Sequence, residues 1–366
     1  MPDWTRSMQQ TYEFMIVNPY TWVDDKKITT VTNATITRDL ADETLGSASI
    51  ECDEDLTDLY IRIYLVTVQD RIDERFPLGT YLCQTPGRKF DGKRNSSATD
   101  AYTPLIELKE KPMPIGYSIY KNENIMEHAV NYTRESLRAP VVDTSSTTLL
   151  KTDFISTSSD TRLTFLRDLL ANDKRSLGLD DLGRIIFPPN QDISMLQPVW
   201  TYDDDNSSIL YPDLNITRDL YGIPNVVEVL YSGDSNNPIF SRVINDDPNS
   251  ITSVKARGRE IIHRDTSPSI GGGVNNTDIT QEQVDEYAKE LLKSLSSLEY
   301  SLEYTHGYCP VRIGDGIRLN YSRANVINTR AKVTRQIIQC TSGCPVQETA
   351  VYTKQLWNPD LTIEEG

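Results

Sequence analysis

The chain has 366 residues, 38% of them hydrophobic, with 37 basic and 53 acidic side chains and a formal net charge of −16. That length suits two to four folding units, and the charge argues against a nucleic-acid grip, which draws most of its affinity from cations on phosphate. No run approaches the eighteen or so apolar residues a spanning helix needs, and MPDWTRSMQQ lacks the basic-then-apolar pattern of a signal peptide.

The first hundred residues read as β. In DLYIRIYLVTV, Ile61, Ile63 and Leu65 alternate with Tyr60, Arg62 and Tyr64. GTYLCQT is a second strand after the turn-forming Pro77-Leu78-Gly79, and residues 86–99, rich in Gly, Lys, Arg and Ser, read as a loop. DAYTPLIELKE returns to strand-like alternation before the break KPMPIG.

The texture changes after Gly116. ENIMEHAVNYTRESL and DTRLTFLRDLLANDK carry apolar residues at helical spacing; Pro140 stops the first, and Asp160 or Thr161 caps the second. SLGLDDLGRIIFPPN predicts two short strands around an Asp-Asp-Leu-Gly turn.

From Val199 β character resumes in PVWTYDDD, NVVEVLYSGD and IFSRVIN. A Gly-rich stretch at Ser267–Asn276 leads to a helix predicted over 280–298, with Thr280 and Gln283 as a capping box and an apolar stripe from Val284 to Leu298. YSLEYTH, PVRIGDGIRLNY with a Gly-Asp-Gly turn at 314–316, AKVTRQIIQC and TAVYTKQLW are the last strands. The expected class is mainly β with α+β parts. The expected domains are a β domain at 1–111, a small α/β domain at 112–197, a second β domain at 198–357 holding the helix, and an acidic tail at 358–366.

The pentapeptide ITRDL occurs twice, at Ile36–Leu40 and Ile216–Leu220, at the start of each β-rich region. Each copy precedes an alternating strand with an arginine, YIRIYLV after the first and IFSRVIN after the second. Duplication of one structural unit accounts for that pattern; a chance match, five residues being short, is the other reading.

The vocabulary of catalysis is missing. No G-x-S-x-G elbow, Walker A loop or H-E-x-x-H motif occurs. Of the three histidines, His128 lies on the first helix and His263 at a strand end, both read as packing residues. Asp203-Asp204-Asp205 reads as a solvated turn, since the alternating spacing of a calcium loop is missing. Five cysteines, an odd number, give no disulfide framework. One constellation stands out: His306 with Cys309, and Cys340 with Cys344, supply the soft ligand types of a zinc or iron–sulfur site. Buried apolar cysteines, or one disulfide formed after assembly, explain the same residues. No catalytic residue and no cofactor are expected.

ITRDLADETLGSASI, DAYTPLIELKEKPMPIGYS, LTFLRDLL with GLDDLGRIIFPPNQD, YGIPNVVEV, RGREI and LEYTHGYCPVRIGDGIRLNY follow in an order that resembles the baseplate hub proteins of long-tailed, especially contractile-tailed, bacteriophages and phage-like particles. The resemblance covers most of the chain. It implies two tail-tube-like β-barrels in one chain, separated by the small α/β domain. Three copies would close a ring that presents six barrels to the sixfold tail tube and a threefold face to the central spike. Implied partners are further copies of the chain, the tube or distal tail protein, the spike and the tape-measure protein. DNA would pass through an acidic lumen without specific binding, and nothing would insert into a membrane. The implied place is the virion tail baseplate, after synthesis in the bacterial cytoplasm. Two other classes stay open: a cell-wall or polysaccharide hydrolase, which needs positioned carboxylates, and a host-surface binding module using some of the 19 tyrosines.

Overall fold

The computed structural model describes residues 2–90, 95–218, 220–231, 238–266, 268 and 279–355. Strands β1 (Gln9–Val17), β2 (Asp24–Ile28), β3 (Val31–Asp39), β4 (Gly46–Cys52), β5 (Tyr60–Gln69), β6 (Ile72–Phe90) and β7 (Asn95–Tyr102) come first. Helices α1 (Ile106–Glu110), α2 (Ile125–Ser136) and α3 (Arg162–Ala171) follow, interleaved with the two-residue strands β8 (Ser118–Ile119), β9 (Phe154–Ile155), β10 (Gly178–Leu179) and β11 (Ile185–Ile186). The remaining strands are β12 (Pro198–Asp203), β13 (Leu210–Arg218), β14 (Val226–Tyr231), β15 (Ile239–Ile244), β16 (Ile262–Asp265), β17 (Ser297–Gly307), β18 (Gly316–Tyr321), β19 (Val326–Gln339) and β20 (Pro345–Gln355). Helix α4 (Val254–Arg257) precedes β16, and α5 (Gln281–Leu295) precedes β17. The fold is mainly β with few helices.

By contacts the chain divides into Met1–Leu214 with Glu303–Ala350, and Asn215–Leu302 with Val351–Gly366. One large sheet runs β13-β17-β20-β19-β3-β4-β7-β6-β5-β1-β2, with β18 joined to both β19 and β12. Two runs of six strands can be read in it, β3-β4-β7-β6-β5-β1 and β13-β17-β20-β19-β18-β12. Numbered by chain position, both runs have the same order: β1, β3, β4, β5, β6 and β7 stand where β12, β13, β17, β18, β19 and β20 stand. Register agrees at the hairpin: Tyr60 faces Leu82 at the base of β5–β6, as Gly316 faces Lys332 at the base of β18–β19. Each hairpin ends with the same pair of backbone bonds. Cys83 N–H donates to Leu59 O and Asp58 N–H to Cys83 O; Val333 N–H donates to Asp315 O and Gly314 N–H to Val333 O.

The two ITRDL copies begin on corresponding strands, β3 and β13, with Asp219 outside the described residues. The strand expected to follow the second copy is different. IFSRVI forms β15 in a separate three-stranded sheet, β15-β14-β16, and the counterpart of YIRIYLV is β18. The runs also differ in detail: β1 is antiparallel to β5, whereas β12 is parallel to β18. Among the described residues neither run closes on itself, so the barrels implied by the resemblance are open sheets in the isolated chain.

Both faces of β5 are buried, although its alternation suggested a mixed face. Beyond the isoleucines, Tyr60 donates from its hydroxyl to Glu107 (2.7 Å) and Arg62 donates to Leu182 O (3.2 Å). The α-rich segment therefore covers the second face. Its core is built from α2 and α3, with Ile125, Met126, Leu166 and Leu169 among its fully buried residues. Residues 86–90 and 95–99, read above as loop, extend the β6–β7 hairpin through backbone pairing. The expected strand after them gives way at Thr103 to α1.

In the second division, Val227, Val229 and Val243 pack with Val284, Ala288 and Leu292 of α5. Thr280 and Gln283 form the capping box. The helix stops at Leu295, not 298: Ser296 caps it and Leu298 is buried in β17 instead. The predicted acidic tail, and most of the Gly-rich stretch before α5, lie outside the described residues.

Candidate functional site at the seam between the strand runs

The two runs meet where β19 pairs antiparallel with β3, Arg335 facing Asp39 and Gln339 facing Thr35. Beneath this seam lies a buried polar network. Glu348 of β20 and His306 of β17 are both 0% exposed, with His306 Nε2 3.4 Å from Glu348 Oε2. Gln336 Nε2 donates to Glu348 Oε2 (2.7 Å) and to Val311 O (3.0 Å). The Tyr304 hydroxyl donates to Glu348 Oε1, and the Tyr202 hydroxyl lies 3.3 Å from the same atom. Gln336 Oε1 in turn accepts from Arg38 Nη1 (3.1 Å), and Arg38 Nη2 donates to Leu78 O (2.7 Å). The chain of bonds thus passes from β20 through β19 to β3 and on to β6. Each carboxylate oxygen is satisfied, the condition under which a buried charge is tolerated.

The electrostatics follow from this geometry. Burial opposes the charge on His306, but the Glu348 carboxylate and Cys309 outweigh it and push its pKa up to about 10. Burial likewise opposes the Glu348 charge, yet His306, Tyr304 and Gln336 hold its pKa below the ordinary carboxylate value. The pair is an imidazolium–carboxylate couple at neutral pH.

The four candidate ligands are placed in two pairs. Cys309 Sγ lies 3.9 Å from His306 Nδ1. Cys340 and Cys344, both near Tyr12, are pushed well above the usual thiol range by burial. All five cysteines are free thiols. Among the described residues no group of three or more His, Cys, Asp and Glu is arranged to hold a metal ion. His306 explains why: Nδ1 donates to Gly307 O (2.7 Å) and Nε2 faces Glu348, so as placed neither ring nitrogen offers a lone pair. The chemistry of the cluster is that of a lock.

Asp203–Asp205 serve local structure. Asp203 accepts from Asn320 (2.7 Å), Asp204 from the Ser322 backbone and hydroxyl, and Asp205 from Ser207. Those serine bonds lower the pKa values of Asp204 and Asp205, the opposite of a general acid. His128 forms a half-buried pair with Glu123 (2.7 Å), and His263 is exposed on β16. A cavity of about 270 Å³ lies beside the seam, lined by Arg38, Leu78, Tyr81, Asp181, Arg312 and Ile313 among others. Within its wall Arg312 binds Asp181, whose pKa is raised by burial against the pull of Arg38 and Arg312.

Comparison with known proteins places this fold. No family model matches the sequence, and no curated protein matches it. Among solved structures, the chain is similar to the tail protein from Neisseria meningitidis MC58, with 12% identity, a TM-score of 0.64, and coverage of 96% of this chain and 99% of that one. It is similar to the 43 kDa tail protein of prophage MuSo2 from Shewanella oneidensis at 11% identity and a TM-score of 0.60, covering 93% and 98%. A chain of the lidded Francisella PdpA–VgrG complex matches at 10% identity and a TM-score of 0.53, covering 98% of this chain and 55% of that one. At these identities the likeness establishes a shared fold and nothing beyond it.

Proposed function

We propose that this chain is the structural hub of a phage tail baseplate. Three copies form a ring in which each strand run acts as one tube-like barrel, six in all. One barrel spans 1–111; the other lies in 198–357 and carries the β14–β16 sheet and α5 as an insertion between β13 and β17. The ring joins a sixfold tail tube, or the distal tail protein on it, to a threefold central spike, meets the tape-measure protein within, and lets DNA pass through an acidic lumen. Its place is the virion tail, and its role is architectural.

The observation that carries this reading is the repeated strand order. A chain that holds the same six-strand path twice turns threefold symmetry of molecules into sixfold symmetry of surfaces. Full-length likeness to two tail proteins, and a partial match in a VgrG complex, support the same setting. The buried seam network supports a permanent joint between the runs. Light scattering followed by negative-stain imaging tests the proposal. A trimer mass and a threefold ring with an axial hole are expected; a monomer at high concentration, or a compact particle without a channel, overturns it.

A further inference from the structure

We infer that the ring closes by β-augmentation: the outer edge of β6 in one copy takes up the outer edge of β13 in the next, copying the seam that β19 and β3 form within each chain. The inference rests on the hub reading and adds to it the surface and the register.

Inside the chain, β19 leaves its hairpin partner β18 after Val333 and continues along β3. Leu40 N–H donates to Thr334 O, residues 335–339 face 39–35, and Cys340 N–H donates to Ala34 O. Strand β6 leaves β5 at the corresponding residue, Cys83, and runs on to Phe90 with β7 on one side. Among the described residues no strand lies along its other side. On the acceptor side, β13 corresponds to β3 and, among the described residues, pairs only with β17, at the end of the sheet path. Gly307 N–H donates to Ile209 O, so odd-numbered residues of β13 face β17 and even-numbered ones face outward. The repeated pentapeptide records the missing neighbour. Ile36 is 0% exposed beside β19, whereas Ile216, its equivalent, is 39% exposed.

Transferring the internal register pairs Gly87 with Thr217 and Arg88 with Ile216. Pro86 stands where Gln336 stands, and it removes one donor from the new ladder. Proline is tolerated in a sheet where its nitrogen faces outward from an edge.

Side chains alternate, so Gly87 and Thr217 form a non-hydrogen-bonded antiparallel pair with Cα atoms about 4.5 Å apart, within disulfide range. The test is oxidation of the full-length double variant Gly87→Cys/Thr217→Cys, beside each single variant and the displaced pair Gly87→Cys/Ile216→Cys. Covalent dimers and trimers from the first pair alone are expected, within a ring that matches the unmodified one by imaging. Ile216→Pro, which deletes an outward N–H, is expected to leave a folded monomer with an unchanged circular dichroism spectrum. A threefold ring that forms without this cross-link, or that survives Ile216→Pro, overturns the inference and leaves the hub reading standing. A chain that stays monomeric at high concentration overturns both.

Discussion

Glu348→Gln removes the negative half of the buried couple while keeping its shape. In the native fold His306 holds its proton to about pH 10, against an ordinary value near 6.5. At pH 7 that hold stabilises the fold by an amount on the order of 4 kcal/mol, since each tenfold in proton affinity is about 1.4 kcal/mol. The figure agrees with the roughly 3–5 kcal/mol lost when one partner of a buried ion pair is deleted. The amide introduced by Glu348→Gln can keep its oxygen toward the Gln336 donor and turn its NH2 toward the Tyr304 and Tyr202 hydroxyls, which can accept, so the substitution removes the charge with little loss of hydrogen bonding. The first contact division is large, and about 2 °C of melting temperature per kcal/mol applies; the variant should melt about 8 °C lower at pH 7. Urea unfolding followed by tryptophan fluorescence reads the same quantity, because Trp4 and Trp22 are buried in that division. The cost should shrink toward pH 10, where the native protein loses the same proton. A cost below about 1 kcal/mol at pH 7, or one that does not change with pH, would refute the charged-couple account.

Two further outcomes follow from named atoms. The His306 contribution is complete below pH 6.5 and fades as pH rises toward 10, while the Glu348 contribution is complete above pH 4.5 and fades as pH falls below it. Stability from this pair should therefore peak between about pH 4.5 and 6.5, and His306→Gln/Glu348→Gln should flatten both arms of a melting-temperature profile. Gly46 has φ +129, and a Cβ there would lie 2.1 Å from the Thr37 carbonyl oxygen. Gly46→Ala should cost about 3 kcal/mol in urea unfolding, whereas Gly116→Ala, at φ +76 with nothing within 4 Å, should cost only about 1 kcal/mol of backbone strain.

Local signals were legible in the residues. The Thr280 capping box and the apolar stripe of α5 depend on neighbours three and four apart, and the β5 alternation on neighbours two apart. The lock was not, because its parts come from distant strands: Tyr202 meets His306 across 104 positions and Arg38 meets Gln336 across 298. One clue was present in QETAVYT. Val346, Glu348 and Ala350 share a strand face, and a carboxylate at period two between apolar residues marks a buried partner. The repeat was hidden for another reason. Outside the pentapeptide identity is sparse, as in Ile61-Arg62 against Ile317-Arg318, and the second run is interrupted between β13 and β17 by a sheet and two helices that the first lacks.

That interruption and the lock explain how two related seams could serve different purposes. Within the chain, Gln336 sits opposite Arg38 and ties the seam to Glu348 and His306. At the inferred seam between copies, Pro86 and Arg218 occupy the corresponding places. Proline offers no side-chain bond and no backbone donor, so that seam has nothing equivalent to the buried couple. The inner seam forms with the fold, and it cannot slip by one residue without stranding a buried charge. In the proposed ring the outer seam would rely on backbone pairing and on covering Ile216, so a folded monomer would exist before the ring closes. Under the hub reading, a chain with one locked seam and one reversible seam would thus fold alone and still assemble as the proposed ring.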